Sequence, residues 1–432
     1  MPVAPCSSSS TGVELSTVVE LARRVAALKS SDACIDADAP LLILKLSERA
    51  PLLVRDVFEE KGFREHEEGV DGEHHWHLHW KAGRFKPSEY EVASKLQRVN
   101  HFPKTTGITK KDCLLRNMRR MRGIHGPIYD FFPEAYLLPT EYMTMVRVCK
   151  ELAGRGVKPI WILKPTDASQ GRKIFLIRDL AEISYGHFSS SIAAAAADLR
   201  GEGGGGDDDG DGGGGEERER AIATEIDMAT TLRMLRSRLK KEVTPCVKFT
   251  ELHLAQRYVA KPLTFHGYKL DLRIYVLLLS ARPLRVYWYT DCLLRFATQK
   301  YDLDDLENAY SHLTNSSINK NSTSYGVDKE GIRAGCKWSL WRFTREHPDH
   351  PLGSPTLWAR IKAIVTLTLL SIAADVPDNG GCFELLGYDV IVDAALKPWL
   401  LEVNTSPALG VECDADREVK APLLSDLADL LA

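Results

Sequence analysis

Residues 269–279 read KLDLRIYVLLL, and few folds can accommodate that run. Ile274–Leu279 is apolar throughout, as strands of a buried sheet are. Strand side chains alternate between faces, so Lys269, Asp271 and Arg273 leave one face together. A solvated strand edge with internal ion pairs would also carry such charges, but these lead directly into the apolar run. Leu254–Ala260, Arg273–Ser280 and Leu284–Tyr289 read as strands of the same sheet type. Thr356–Ala374 reads as a helix, and Leu385–Val392 and Trp399–Val403 as a final hairpin around the turn Asp393–Pro398.

The hairpin carries chemistry. Asp389 lies in its first strand (GYDVIVD), Glu402 and Asn404 in its second (LLEVNTSP). Glu402 and Asn404 share a face, and an antiparallel neighbour can bring Asp389 beside them. Two carboxylates and an amide oxygen are hard ligands, suited to Mg²⁺ bridging nucleotide phosphates. Alone, a D…ExN pattern more often marks ordinary strand-end polar residues, so the reading depends on the other segments.

Pro159–Lys164 and Arg172–Ile177 form a strand–loop–strand signal. Lys164 ends the first strand, where an ammonium can reach phosphates as a point charge. Gln170 and Gly171 let the backbone bend so that N–H groups face them. The GxxxxGK[ST] spacing of a Walker A loop is absent, and a surface turn with a snorkelling lysine produces the same letters. Gln256, Arg257, Tyr258 and Val259 end a further strand, and Arg295 follows in LLRFAT. The string His312–Lys320 has only Leu313 and Ile318 as apolar residues, which suits an exposed loop.

Composition narrows the classes. A formal net charge of −3 over 432 residues supplies no global basic field for nucleic acid. The nine cysteines are scattered and lack a CxxC pair, which fits reduced thiols. No secretory signal pattern opens the chain. The most apolar stretch, Ala363–Ala374, is short of the about 20 residues a membrane span requires and reads as a buried helix.

Four segments follow: a flexible tail (1–39); a small N-terminal α/β domain with the start of the main module (40–150); the module itself (151–184 and 246–432); and an insertion (185–245). The insertion's GEGGGGDDDGDGGGG cannot build a core and reads as disordered, with Leu232–Lys241 as a surface helix. In the N-terminal part, Leu41–Leu46 and Trp76–Trp80 read as strands and Val54–Lys61 as a helix. Ser88 with Glu91 predicts a capped helix over Glu89–Gln97, and Thr109 an N-cap before an arginine-bearing helix.

The runs VNHFPKTTGITKKDCLLRN, WILKPTDASQGRKIFLI, QRYVAKPLTFHGYKLDLRIYVLL, LLRFATQKYDL, HLTNSSINKN, GCKWSL and CFELLGYDVIVDAALKPWLLEVNTSPAL resemble the tubulin–tyrosine ligase-like family, its polyglutamylase members in particular. They occur in family order over most of residues 40–430 outside the insertion. The resemblance implies an ATP-grasp fold of the α/β (α+β) class, with ATP between two antiparallel α/β subdomains. It implies catalytic roles for Lys164, Arg273 and Arg295. ATP would meet Lys164, Gln170, Gly171, Gln256 to Val259, Lys269, Asp271, Thr314 and Asn315. Mg²⁺ would be held by Asp389, Glu402 and Asn404, and the incoming amino acid by Arg295, Ser316 and Lys337. The implied activity is an ATP-dependent carboxylate–amine ligation. An acceptor carboxylate takes the γ-phosphate, and the amine of free L-glutamate displaces phosphate from the acylphosphate. The implied acceptors are acidic tubulin tails on microtubules. The implied protein is a monomer of the cytoplasm and cytoskeleton, at a cilium, flagellum or basal body, without nucleic-acid or membrane partners.

Two positions depart from the family pattern. The usual GRGI is Gly171-Arg172-Lys173-Ile174, so Lys173 would stiffen the loop or add a phosphate contact. The usual tyrosine after HLTN is Ser316, near the incoming amino acid. Arg295 and Lys337 favour a donor with two carboxylates. A glycine or tyrosine ligase on the same scaffold, and a non-catalytic microtubule-binding member, are the competing readings; the intact Asp389–Glu402–Asn404 set opposes the last. Arg116, Arg119, Arg120 and Arg122 form a solvated face or a patch for acidic tails. His75, His77 and His79 would share a strand face as zinc ligands do, although buried Trp76 and Trp80 explain the run more simply.

Overall fold

The computed structural model describes residues 42–94, 96–167, 171–180, 183–185, 247–249, 251–377 and 380–431. The expected tail, Gln170, the helix at Leu232–Lys241 and, apart from Tyr185, the expected insertion lie outside them. From Ile43 onward the chain forms one compact unit.

Near the N-terminus, β1 (Leu42–Leu46), β2 (Phe63–Glu65), β3 (Leu78–Trp80) and β4 (Arg98–Val99) pair in the order β2-β1-β3-β4. The helix Leu52–Glu60 buries Leu53, Val54, Val57 and Phe58, the i, i+4 stripe of an amphipathic helix. Phe58 meets Phe63 and Trp80 edge-on, with centroids 5.1 and 6.2 Å apart.

Three local expectations need correction here. The strand read over Trp76–Trp80 begins only at Leu78. The helix read over Glu89–Gln97 is Pro87–Val92. Pro87 takes the first helical position, where its missing N–H is no loss, and Glu89 accepts from the Lys86 backbone N–H at 2.7 Å. Thr109 caps nothing: it ends a short helix, Thr106–Thr109, and the arginine-bearing helix is Lys111–His125.

The second sheet contains β5 (Ala135–Leu138), β6 (Trp161–Pro165) and β7 (Phe175–Ile177). A separate parallel pair, β8 (Ile183–Tyr185) and β9 (Val247–Phe249), precedes β10 (His253–Arg257). β10 inserts antiparallel between β5 and β6, giving β5-β10-β6-β7. β5 lies in the part of 40–150 read as the start of the main module. The helix Tyr142–Gly154 contributes Met145 to a core with Tyr136, Leu138, Trp161 and Leu163.

The third sheet holds β11 (Thr264–Phe265), β12 (Tyr268–Ala281), β13 (Leu284–Phe296), β14 (Lys337–Ser339), β15 (Glu384–Val392) and β16 (Pro398–Asn404). Its antiparallel order is β14-β13-β12-β15-β16, with β11 on β12. The helix Pro355–Ala373 sends Ile361, Ile364, Val365, Leu369 and Ile372 into the core that holds Leu272, Ile274 and Tyr388. By length and composition it is apolar enough to cross a membrane, and it is longer than the stretch read from sequence. Its apolar face is packed as that of a core helix. The last helix, Asp414–Leu431, has 18 residues and ends in SDLADLL.

Candidate functional site

Charged residues stack across the third sheet. One rung runs Lys337–Arg295–Asp271 through β14, β13 and β12. The next runs Arg273–Asp389–Glu402 through β12, β15 and β16. A register shift just after Asp389 leaves it directly opposite Glu402. Opposite charges meet at Arg295–Asp271 and Arg273–Asp389, whereas Lys337–Arg295 and Asp389–Glu402 set like charges side by side.

Asp271, Arg295 and Asp389 are buried and closely paired. Arg295 Nε and Nη2 donate to Asp271 at 2.7 and 2.6 Å, and Nη2 lies 2.9 Å from Asp389 Oδ2. Arg273 Nε donates to Asp389 Oδ1 at 2.5 Å, and the Thr314 hydroxyl donates to Asp271 at 2.7 Å. Burial opposes ionisation of Asp389, but Arg273 and Arg295 outweigh it and hold the carboxyl well below the usual carboxylate range. Burial also opposes the Arg295 charge, which Asp271 and Asp389 secure.

Two lysines are in the opposite situation. The Lys164 ammonium donates to Gln256 Oε1 at 2.8 Å. That of Lys269 donates to the Tyr258 hydroxyl at 2.9 Å and the His312 carbonyl at 2.7 Å. Both are buried, and neither joins an ion pair among the described residues. Burial lowers the Lys164 ammonium and pushes Lys269 down to about 7. Beside Lys164, the buried Gln256 Nε2 has no hydrogen-bond partner among the described residues. A cleft of about 60 Å³ is lined by both lysines, with Lys164 and Ile162 from the second sheet and Lys269, Asp271 and Glu402 from the third; Gln256 lies behind Lys164, outside its lining. Unpaired buried cations and an orphaned N–H call for an anionic, hydrogen-bond-accepting ligand, and nucleotide phosphates fit that demand.

The string His312–Lys320 is not the exposed loop its polarity suggests. His312, Thr314 and Asn319 are buried. His312 pairs its ring with the Tyr258 hydroxyl and the Asp305 carbonyl, and Asn319 binds Thr298 and Leu313. Full hydrogen bonding makes that burial affordable. Gly171, at φ +75°, packs on this string: a Cβ there would collide with Ile318 and come within 3.2 Å of Asn315. Lys173 holds the left-handed region at φ 56°, and its amine pairs with Glu251 at 3.0 Å.

A second cavity, about 360 Å³, shares Arg295, Asn315 and Glu402 with the cleft. Arg273, Ser316 and Asn404 also line it. The Asn404 amide donates to the Gly387 carbonyl at 3.3 Å and to Glu402 at 3.4 Å. Lys337 lines it too, with its amine 2.8 Å from both Glu412 and Asp416. Sequence reasoning missed Glu412, Asp416 and Lys420 of this cavity. They have only helical i, i+4 spacing, and nothing local ties them to Lys337. It also missed Tyr275, although Tyr275 continues the alternation of Lys269, Asp271 and Arg273.

Arg257, Tyr258 and Val259 line a third, wider cavity of about 940 Å³ with Lys261 and Trp399. The arginines of Lys111–His125 have local partners: Arg116 with Asp112, Arg119 with Glu141, Arg120 with the Ser371 carbonyl and Arg122 with Asp130. Among the described residues no three His, Cys, Asp or Glu side chains are grouped to hold a metal. His77 Nδ1 instead accepts from the Ile43 N–H, and burial pushes His79 down to about 4. At the hairpin, two carboxylates and an amide suit a hard cation, although both Asp389 oxygens here accept from guanidinium groups.

The model of the tubulin-tyrosine ligase family matches residues 90–431. The mouse (Mus musculus) probable tubulin polyglutamylase TTLL2 is 34% identical over 94% of this chain and 64% of its own length. The human (Homo sapiens) tubulin polyglutamylases TTLL5 and TTLL6 are 31% and 30% identical over 87% and 90% of this chain, and over 25% and 37% of their own lengths. The chain therefore spans less than two thirds of each of these relatives.

Proposed function

The chain belongs to the tubulin-tyrosine ligase family, and on that premise we propose that it is an ATP- and Mg²⁺-dependent ligase joining L-glutamate to carboxylates of tubulin tails. The observation that carries the reading is the pair of buried lysines, Lys164 and Lys269, without a carboxylate partner. Polyglutamylase relatives supply the donor and the acceptor. On this reading Lys164, Lys269 and the orphaned Gln256 amide hold phosphate oxygens, and Gly171 and Asn315 shape the loop over them. Asp389, Glu402 and Asn404 would hold Mg²⁺, which neutralises phosphoryl charge when bound. On the same reading Arg273 and Arg295 would bind the acylphosphate and orient the attacking amine. Ser316 and Lys337 line the amino-acid side.

The test is incubation of the protein with tubulin, Mg-ATP and labelled glutamate, glycine or tyrosine. Incorporation of glutamate alone supports the reading. Incorporation of another amino acid, or of none while ATP still binds, overturns it.

Two consequences concern the lysines. Lys164→Met should weaken nucleotide binding about tenfold or more, the worth of a charge-assisted hydrogen bond. The same change should stabilise the nucleotide-free protein by about 0.5–2 kcal/mol, because it removes an unpaired buried charge. Calorimetric titration and denaturant unfolding read the two effects; a variant that binds normally would contradict the phosphate role.

Lys269 titrates at about 7 without ligand. A bound polyanion raises that value, so nucleotide binding above about pH 7 should take up a proton, and affinity should fall as pH rises. Below that pH the ammonium is already charged and uptake vanishes. Titration in buffers of different ionisation enthalpy measures it; pH-independent heats would count against the assignment.

A further inference from the structure

Arg84 lies just beyond β3, and its guanidinium meets hydroxyls where a carboxylate would be expected. Nη1 donates to Thr105 at 2.9 Å, and Nη2 donates to Thr109 at 2.9 Å and to Thr405 at 2.8 Å. Behind these hydroxyls, at the start of β15, stands Glu384, a carboxylate with no solvent exposure. The Thr105 hydroxyl donates to Glu384 Oε1 at 3.2 Å and the Thr405 hydroxyl at 3.0 Å. The other contacts of Glu384 are longer: His101 Nδ1 and the Phe102 N–H each lie 3.4 Å away. A cation and a buried anion are thus joined through two hydroxyls.

A direct arginine–carboxylate fork would fasten these segments more strongly. The inserted hydroxyls add direction instead. A threonine hydroxyl has one proton to give. Glu384 takes that proton and Arg84 faces a lone pair, so the Thr405 side chain has one orientation. Thr405 directly follows Asn404, which lines the 360 Å³ cavity together with Ser406, Pro407 and Ala408. Two further contacts hold the same segment. The Ser406 hydroxyl donates to the Ala82 carbonyl at 2.8 Å, and Pro407 packs so closely on Gly387 that a Cβ there would come within 2.9 Å of it. The end of β16 is thereby clamped between β15 and the segment that follows β3.

We propose that Arg84 and Glu384 are positioning residues for the ligase site, acting through the Thr405 hydroxyl to set where Asn404 and the wall Ser406–Ala408 stand. This deepens the ligase reading and rests on it. Asn404 is one of the groups that would hold Mg²⁺, so the clamp governs how its amide oxygen is presented. The segment after β3 then serves the reaction without lending it a catalytic group.

Thr405→Val keeps the shape of the side chain and deletes the hydroxyl, whereas Thr405→Ser keeps the hydroxyl. Two readouts apply to the full chain. Electron paramagnetic resonance follows binding of Mn²⁺, in place of Mg²⁺, with a non-hydrolysable ATP analogue and no turnover. Incorporation of labelled glutamate into tubulin gives kcat and KM. Thr405→Val should weaken Mn²⁺ binding and lower kcat, each about tenfold or more, as loss of a group that orients a metal ligand does. KM for tubulin should be retained. Thr405→Ser should recover most of both losses. Arg84→Lys keeps the charge but cannot fork to three hydroxyls, so it should follow Thr405→Val. Thermal melting establishes which variants are folded, and Arg84→Lys decides if Thr405→Val is not. If the unmodified protein incorporates glutamate and the folded variant matches it in rate and Mn²⁺ affinity, the clamp only fastens the first sheet, and the positioning role is overturned while the ligase reading stands. Equal losses in Thr405→Ser and Thr405→Val would assign the effect to side-chain shape and overturn it too. If the unmodified protein takes another amino acid or none, the ligase reading itself fails, and the positioning role with it.

Discussion

Glu402→Gln should lower glutamate incorporation by about 10²–10³-fold while leaving the fold within about 1 kcal/mol of its original stability. Glu402 is half-buried, sits opposite Asp389 and borders both the cleft and the amino-acid cavity. Its carboxylate forms no ion pair among the described residues and accepts only the long Asn404 amide contact at 3.4 Å. Glutamine keeps that shape and can still accept the contact. What it removes is one negative charge and, on the proposed reading, a hard ligand for Mg²⁺ with its share of phosphoryl charge neutralisation. The structure therefore separates function from folding at this residue. Incorporation of labelled glutamate and denaturant midpoints, measured on the same preparation, check the two halves. A variant that retains a rate within threefold of the original would remove Glu402 from the reaction.

Asp389→Ala should show the reverse balance, a loss of about 3–5 kcal/mol of stability on top of any loss of activity. Asp389 is the anion on which Arg273 and Arg295 converge, at 2.5 and 2.9 Å. Deleting it leaves Arg273 without its ion-pair partner and Arg295 with Asp271 alone. One guanidinium group, that of Arg273, would then lack a carboxylate in a buried sheet. Combining Asp389→Ala with Arg273→Met should recover part of the loss, because the stranded charge goes too. Unfolding midpoints of the single and double variants form the test. A single variant as stable as the original would mean that water readily satisfies both arginines.

The site was legible in sequence where it is local to a strand. Lys269, Asp271 and Arg273 do share a face of β12, and Glu402 stands opposite Asp389 with Asn404 further along the same strand. Period-two alternation survives any register, which is why these sets could be read before any partner was known. Helix starts were read less well. Ser88 and Thr109 have the right side chains for caps, but Pro87 and the preceding turn Thr106–Thr109 had prior claim on the backbone. The His312–Lys320 string misled for another reason. Polarity signals exposure only when no partners are available, and Tyr258, Asp271 and Thr298, distant in sequence, provide them.

By itself, then, the sequence determined the strand faces, the grouping of Asp389, Glu402 and Asn404 on the hairpin, and the family, since each depends on neighbours a few residues apart or on motif order. Only the tertiary structure decided which charges neutralise one another. Arg295 meets both Asp271 and Asp389, Lys337 meets Glu412 and Asp416, and Lys164 and Lys269 meet no carboxylate among the described residues. Coulomb energy depends on separation in space and on the burial around each pair. Both are set by how the sheets and the last helix pack, and neither is encoded in spacing along the chain.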